Sequence, residues 1–151
     1  MYKHILTALD GSPRALHVLR HAAELAARSG AQLHLVRAVH LPLGVPADAF
    51  TMTGDQLISR LLGHGAQELT ELAESLRPGL TPVLWGQRLC RLGAPAQVVV
   101  DLADELHADL IVIGSHGYDV VDRLLGTTAA RIVNHARCSV LVVRGAAPAR
   151  S

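Results

Sequence analysis

Two glycine-punctuated segments near the carboxyl half carry the most chemistry in this chain: Gly114-Ser115-His116-Gly117, which ends an apolar run, and Gly126-Thr127-Thr128, which opens a helical one. Gly114 and Gly117 permit a tight turn whose backbone N–H groups converge on an anion. Gly126 leaves the start of the next helix open to close approach, where uncompensated amide donors and a partial positive charge gather. The hydroxyls of Ser115, Thr127 and Thr128 add donors, and Thr127 or Thr128 is expected to cap the helix. Such a site suits a phosphate without a lysine, and Lys3 is the only lysine in the sequence. Glycines in this pattern also serve simply to end a strand and permit a turn, and that reading stays open.

Asp10 ends the first apolar run. Its carboxylate suits either sugar hydroxyls or Mg²⁺, and equally suits starting the turn before the first helix. Asp119 and Asp122 would join it in a magnesium cluster, or stand as solvated loop residues. Other chemistries lack their residues. There is no G-x-x-x-x-G-K-[ST] phosphate loop, no G-x-S-x-G nucleophile elbow, and no G-x-G-x-x-G after the first strand. His17 and His21 have a metal-compatible i, i+4 spacing, but Val18 stands where H-E-x-x-H needs glutamate. No general base or nucleophile is evident beside a terminal phosphate, so enzymatic turnover beyond slow hydrolysis is not expected.

The elements that must hold these residues alternate short β-type runs with longer helical ones. Strands are expected at His4–Leu9, Gln32–Val39, Thr81–Arg91, Asp109–Ile113 and Ser139–Arg144. A helix is expected after Ser12-Pro13, with Ser12 as N-cap and Pro13 at the first helical position, ending at Ser29-Gly30. A second follows Leu57, Leu61, Leu69, Leu72 and Leu76, interrupted by Gly63 and Gly65 and stopped by Pro78-Gly79. A third opens at Pro95, and a fourth spans about Thr128–His135. Residues 40–53 read as a long loop, and Gly86 suggests a bulge or kink. The β-α-β alternation predicts one α/β domain over residues 1–145, an open five-stranded parallel sheet with helices on both faces, and a tail at 146–151. In such a sheet, ligands bind outside the carboxyl ends of the strands at the switch in strand order. Asp10, Ala38-Val39-His40 and Gly114-Ser115-His116-Gly117 all fall at strand carboxyl ends.

Composition narrows the partners. The 151 residues are 50% hydrophobic and 18% charged, enough apolar material for one core, with a net charge of +1. A balanced chain with only Tyr2, Phe50, Trp85 and Tyr118 as aromatics offers neither a basic footprint nor a stacking platform for nucleic acid. No signal-peptide pattern and no membrane-length apolar run is present, so a cytoplasmic protein without membrane partners is expected. Cys90 and Cys138 form no C-x-x-C motif and are expected to behave as small hydrophobes.

Over nearly its whole length the chain resembles the universal stress protein family. The resemblance rests on the opening YKHILTALDGSPRA and on IGSHGYDVVDRLLGTTAARIVNHARCSVLVVR at the carboxyl end. It implies a Rossmann-like sheet of five parallel strands, common dimerisation through the last strand, and membership of either an ATP-binding or a nucleotide-free group. The nucleotide-binding pattern is G-x₂-G-x₉-G-[ST]. Gly114, Gly117 and Gly126-Thr127 match its ends, while the spacer Tyr118–Leu125 holds eight residues where nine are usual. That departure places Asp119 near the anion, to be offset by a cation or Arg123. Carried over residue by residue, Asp10 resembles the carboxylate near the ribose and a route to Mg²⁺ through the nucleotide. Ala8 resembles a pocket-wall position, and Val39, or equally Ala38, the backbone position that meets adenine. Gly114, Gly117, Gly126, Thr127 and Thr128 resemble the phosphate-contacting set, and Ile113 and His116 complete the candidate residues. The function implied is ATP or other adenine-nucleotide binding in a stress-response protein; the alternative is a nucleotide-free dimeric or partner-binding module. Ser139–Arg144, short and apolar, is the expected homodimer edge.

Overall fold

Five apolar runs pair side by side, every pair parallel. In the computed structural model, which describes residues 1–40, 54–76, 82–115 and 125–145, the strands are β1 (His4–Ala8), β2 (Gln32–Val39), β3 (Leu84–Leu92), β4 (Leu110–Gly114) and β5 (Ser139–Val143). Their order in the sheet is β3-β2-β1-β4-β5. Parallel neighbours need crossovers, and four helices supply them: α1 (Ala15–Ser29), α2 (Gly54–Glu74), α3 (Pro95–Glu105) and α4 (Thr127–His135). The expected α/β architecture is what the chain adopts.

The period-two geometry of the central strands sorts their side chains into two cores. Ile5, Leu33, Leu35, Leu110 and Val112 point to one face, beneath Val18, Leu19, Ala22 and Ala26 of α1 and Leu69 and Ala73 of α2. Leu6, Val36, Ile111 and Ile113 point to the other, beneath Val99, Leu102 and Ala103 of α3 and Ala129 and Ile132 of α4. Each fully buried Leu or Ile contributes about 1.5–3 kcal/mol, so both layers are needed to offset chain ordering. No helix among the described residues is long and apolar enough to cross a membrane.

Local signals behave unevenly. Gly30 ends α1 as expected: its φ of 67° is left-handed, and the Ala31 N–H reaches back to the Ala26 carbonyl at 2.9 Å. The start of α1 differs from expectation. The Asp10 carboxylate accepts from the Ser12 N–H at 2.9 Å, and the Ser12 hydroxyl accepts from the Arg14 N–H at 3.3 Å. This turn occupies Ser12 and Pro13, so Arg14 becomes the N-cap and the helix begins at Ala15. At α4, Gly126 is the N-cap and no side chain caps the helix, which corrects the expectation for Thr127 or Thr128. Helix α2 runs unbroken through Gly63 and Gly65 and ends at Glu74, before Pro78-Gly79, which lie outside the described residues. Strand β3 starts at Leu84 rather than Thr81, and its register shifts between Leu33 and Leu35 of β2, the irregularity that Gly86 suggested. Strands β3 and β5 are the two edges.

Candidate functional site

β1 leads to β2 on one side of itself and has β4 on the other, so the strand order reverses between β1 and β4. Crossovers depart to opposite faces there, and a crevice opens at the carboxyl ends. It is a cleft of about 370 Å³, near the low end of the range of about 300–1,000 Å³ common for small-molecule sites. Val36, Ala38, Val99 and Ile113 give it apolar walls; Asp10, Ser12 and Arg14 line it from the start of α1; Gly114, Ser115, Gly126, Thr127 and Thr128 line it from the other side.

The second group is held by backbone bonds. The Ser115 N–H donates to the Val143 carbonyl at 3.0 Å, extending the β4–β5 pairing, and the Gly126 N–H donates to the Ser115 carbonyl at 2.8 Å. This bond sets Gly126 directly beside Ser115, so the eight-residue spacer does not separate Gly114 from Gly126. The first-turn amides of α4 have no intrahelical acceptor, and no side chain caps them. They line the cleft as donors, and the α4 dipole adds a partial positive charge of about half a unit. On the α1 side, the turn that binds Asp10 Oδ1 to the Ser12 N–H fixes the carboxylate at the cleft.

Of the residues singled out from sequence, Ala8, Asp10, Ile113, Gly114, Gly126, Thr127 and Thr128 all line this one cleft. His116 and Gly117 lie outside the described residues, as do Asp119, Asp122 and Arg123 of the spacer. Val39 does not line the cleft; Ala38 does. The Val39 side chain approaches Gly65 on the α2 face, and its carbonyl accepts from the Gly93 N–H at 3.0 Å. A one-residue step along a strand reverses the face, so the two side chains lie on opposite sides of the sheet. Sequence reasoning missed Arg14 and Pro95 as lining residues. Arg14 follows Asp10 by one helical turn, and Pro95 opens the helix after a strand carboxyl end; both were legible as positions, though not as neighbours.

Outside the cleft the remaining candidates have structural surroundings. The His17 and His21 rings meet edge to face with centroids 4.8 Å apart, and His17 Nε2 lies 3.1 Å from the Arg144 carbonyl, tying α1 to the end of β5. Among the described residues no group of three or more His, Cys, Asp or Glu is placed to hold a metal ion. Burial pushes the Cys90 and Cys138 thiols up from their ordinary value, the behaviour of inert small hydrophobes. Arg37 of β2 pairs with Glu68 of α2, which His64 also approaches at 2.8 Å.

Comparison with known proteins agrees with this geometry. The model of the universal stress protein family matches residues 1–144. The chain is similar to universal stress protein A homolog 1 of Coxiella burnetii, 35% identical over 143 residues that cover 94% of this chain and 96% of that protein. Among solved structures it is similar to a universal stress protein in complex with cAMP, with TM-score 0.64 and 28% identity over 95% of this chain and 97% of that one. It is also similar to the universal stress protein from Archaeoglobus fulgidus in complex with dAMP, with TM-score 0.58 and 26% identity over 93% and 97%.

Proposed function

Since the chain belongs to the universal stress protein family, we propose that it is a stress-response protein whose cleft binds an adenine nucleotide, ATP included, as a regulatory ligand. The observation that carries this reading is the meeting of the uncapped α4 start, the Gly114-Ser115 turn and the Asp10 carboxylate around one apolar-walled cleft of about 370 Å³. The apolar walls suit a base, Asp10 suits ribose hydroxyls and a nucleotide-bound Mg²⁺, and the α4 amides suit phosphate oxygens. Solved relatives that carry cAMP and dAMP support the adenine assignment. No described lining residue is a positioned base or nucleophile, so occupancy rather than turnover is the signal: a ligand there ties the start of α1 to the start of α4.

The test is thermal unfolding with and without Mg-ATP. A ligand at a hundred times its dissociation constant adds about 2.7 kcal/mol, a shift of several degrees. No shift with millimolar ATP, ADP or AMP would leave the chain as a nucleotide-free module. We further propose a homodimer through β5. This edge strand bonds to β4 alone and exposes Leu141 at 40%, so a symmetric strand partner gives it cover.

A further inference from the structure

We infer that Arg14 is the phosphate-selecting residue of the cleft: its guanidinium holds a nucleotide phosphoryl group from the α1 side while the α4 amides hold it from the other. The inference rests on the adenine-nucleotide reading and deepens it. Asp10 and Arg14 are the only charged side chains among the described lining residues, so Arg14 is the one described cation that a polyphosphate in this cleft would meet. Helices α1 and α4 cover opposite faces of the sheet, and their starts converge at its carboxyl edge. An anion there is approached from both sides.

The root of Arg14 is fixed. As the α1 N-cap it donates its N–H to the Ser12 hydroxyl at 3.3 Å, and its carbonyl accepts from the Val18 N–H at 3.1 Å. The side chain crosses toward the end of β5, where a Cβ added to Gly145 would come within 3.9 Å of Arg14 Nε. That strand end holds Ser115 through the Val143 carbonyl, so from the α1 side Arg14 reaches toward the Gly114-Ser115 turn. No described carboxylate pairs with Arg14, Asp10 included. A planar, permanently charged fork with no carboxylate partner among the described residues, beside a set of helix-start amides, matches a phosphoryl group bidentately, and it supplies the charge that Lys3, on the lead-in to β1, is not placed to give.

Calorimetric titration of the full chain with adenosine, AMP, ADP and ATP tests this, comparing wild type with Arg14→Gln, Arg14→Lys and the exposed control Arg20→Gln. The expected result is a loss of about tenfold or more in affinity for AMP, ADP and ATP in Arg14→Gln, with adenosine changed less than about twofold. Arg14→Lys should regain only part, because it keeps the charge and loses the fork. Arg20→Gln should match wild type. Phosphorylated ligands bound by Arg14→Gln as tightly as by wild type would overturn the assignment while the nucleotide reading stood. Adenosine weakened in step with ATP would also overturn it, marking Arg14 as a wall of the cleft. A wild type that takes none of the four ends the nucleotide reading itself, and the role of Arg14 with it.

Discussion

His34 Nε2 lies 3.3 Å from His4 Nδ1, and the two rings stack with centroids 5.5 Å apart. On the far side of His34, the Gln87 N–H donates to Nδ1 at 3.0 Å. An amide can only donate, so Nδ1 is the unprotonated nitrogen, and the ring proton on Nε2 donates to His4. The pair bridges β1, β2 and β3 at the bulge opposite His34, and Gly86 is required there because a Cβ would collide with the ring. A proton added to His34 Nδ1 breaks the bond from Gln87.

This arrangement sets a pH dependence. Burial, then the neighbouring His4, hold the His34 pKa below the ordinary histidine value. The unfolded chain therefore binds more protons at mildly acidic pH, and the stabilisation is complete above about pH 6.5 and lost as pH falls toward the folded-state value. In His34→Asn the amide oxygen replaces Nδ1 as acceptor for Gln87 without titrating. Urea midpoints from pH 7.5 to 5 should fall less steeply for this variant than for wild type. Parallel slopes would refute the coupling.

Thr7 sits in β1 between Leu35 and Val112, fully buried, and its hydroxyl has no partner among the described residues. An unpaired buried hydroxyl costs about 1–3 kcal/mol, and valine has nearly the same shape. Thr7→Val should raise stability by about 1 kcal/mol in urea unfolding, against the usual trend for core substitutions.

Gly63 and Gly65 lie two residues apart in α2 and should respond oppositely. Nothing lies within 4 Å of a Cβ at Gly63, so Gly63→Ala should stabilise by about 0.5–1 kcal/mol through helix propensity. A Cβ at Gly65 would collide with Cys90 Sγ, with Val39 Cγ1 and Arg37 Cδ also close at 3.5 and 3.6 Å. Gly65→Ala should destabilise by about 1–3 kcal/mol. In a Cys90→Ala background most of that loss should vanish, and a double-mutant cycle reads the difference.

The dimer proposal is tested at Leu141 rather than Val142, because Val142 packs against the α3–α4 core and Leu141 is exposed. Leu141→Lys should elute as a monomer with a melting temperature close to that of the wild type's own monomeric form at low concentration. A dimer that survives places the interface elsewhere.

The element order was readable because each strand is a short apolar run and each crossover carries its own 3.6-residue period. The site was readable in part for a topological reason: Asp10, Gly114 and Gly126 all end or begin elements at the carboxyl edge, where the sheet must open. What escaped depended on contacts between distant elements. Gly65 looks like a helix interruption until β3 is seen pressing on it. Arg14 looks like an ordinary first-turn residue until the end of β5 is laid beside it. Ser12 looks like a cap, but Asp10 captures its amide and the helix starts two residues later. The faces taken by the Ala38 and Val39 side chains became clear only once β2 was seen between its neighbours.

The polar lining of the cleft comes from two stretches far apart in sequence, Asp10 to Arg14 and Gly114 to Thr128, with Val36, Ala38, Pro95 and Val99 contributed from between them. A fragment cut before α4 would keep Asp10 and Arg14 yet lack the Gly126–Thr128 side, so an occupied cleft reports that both stretches are present and folded together.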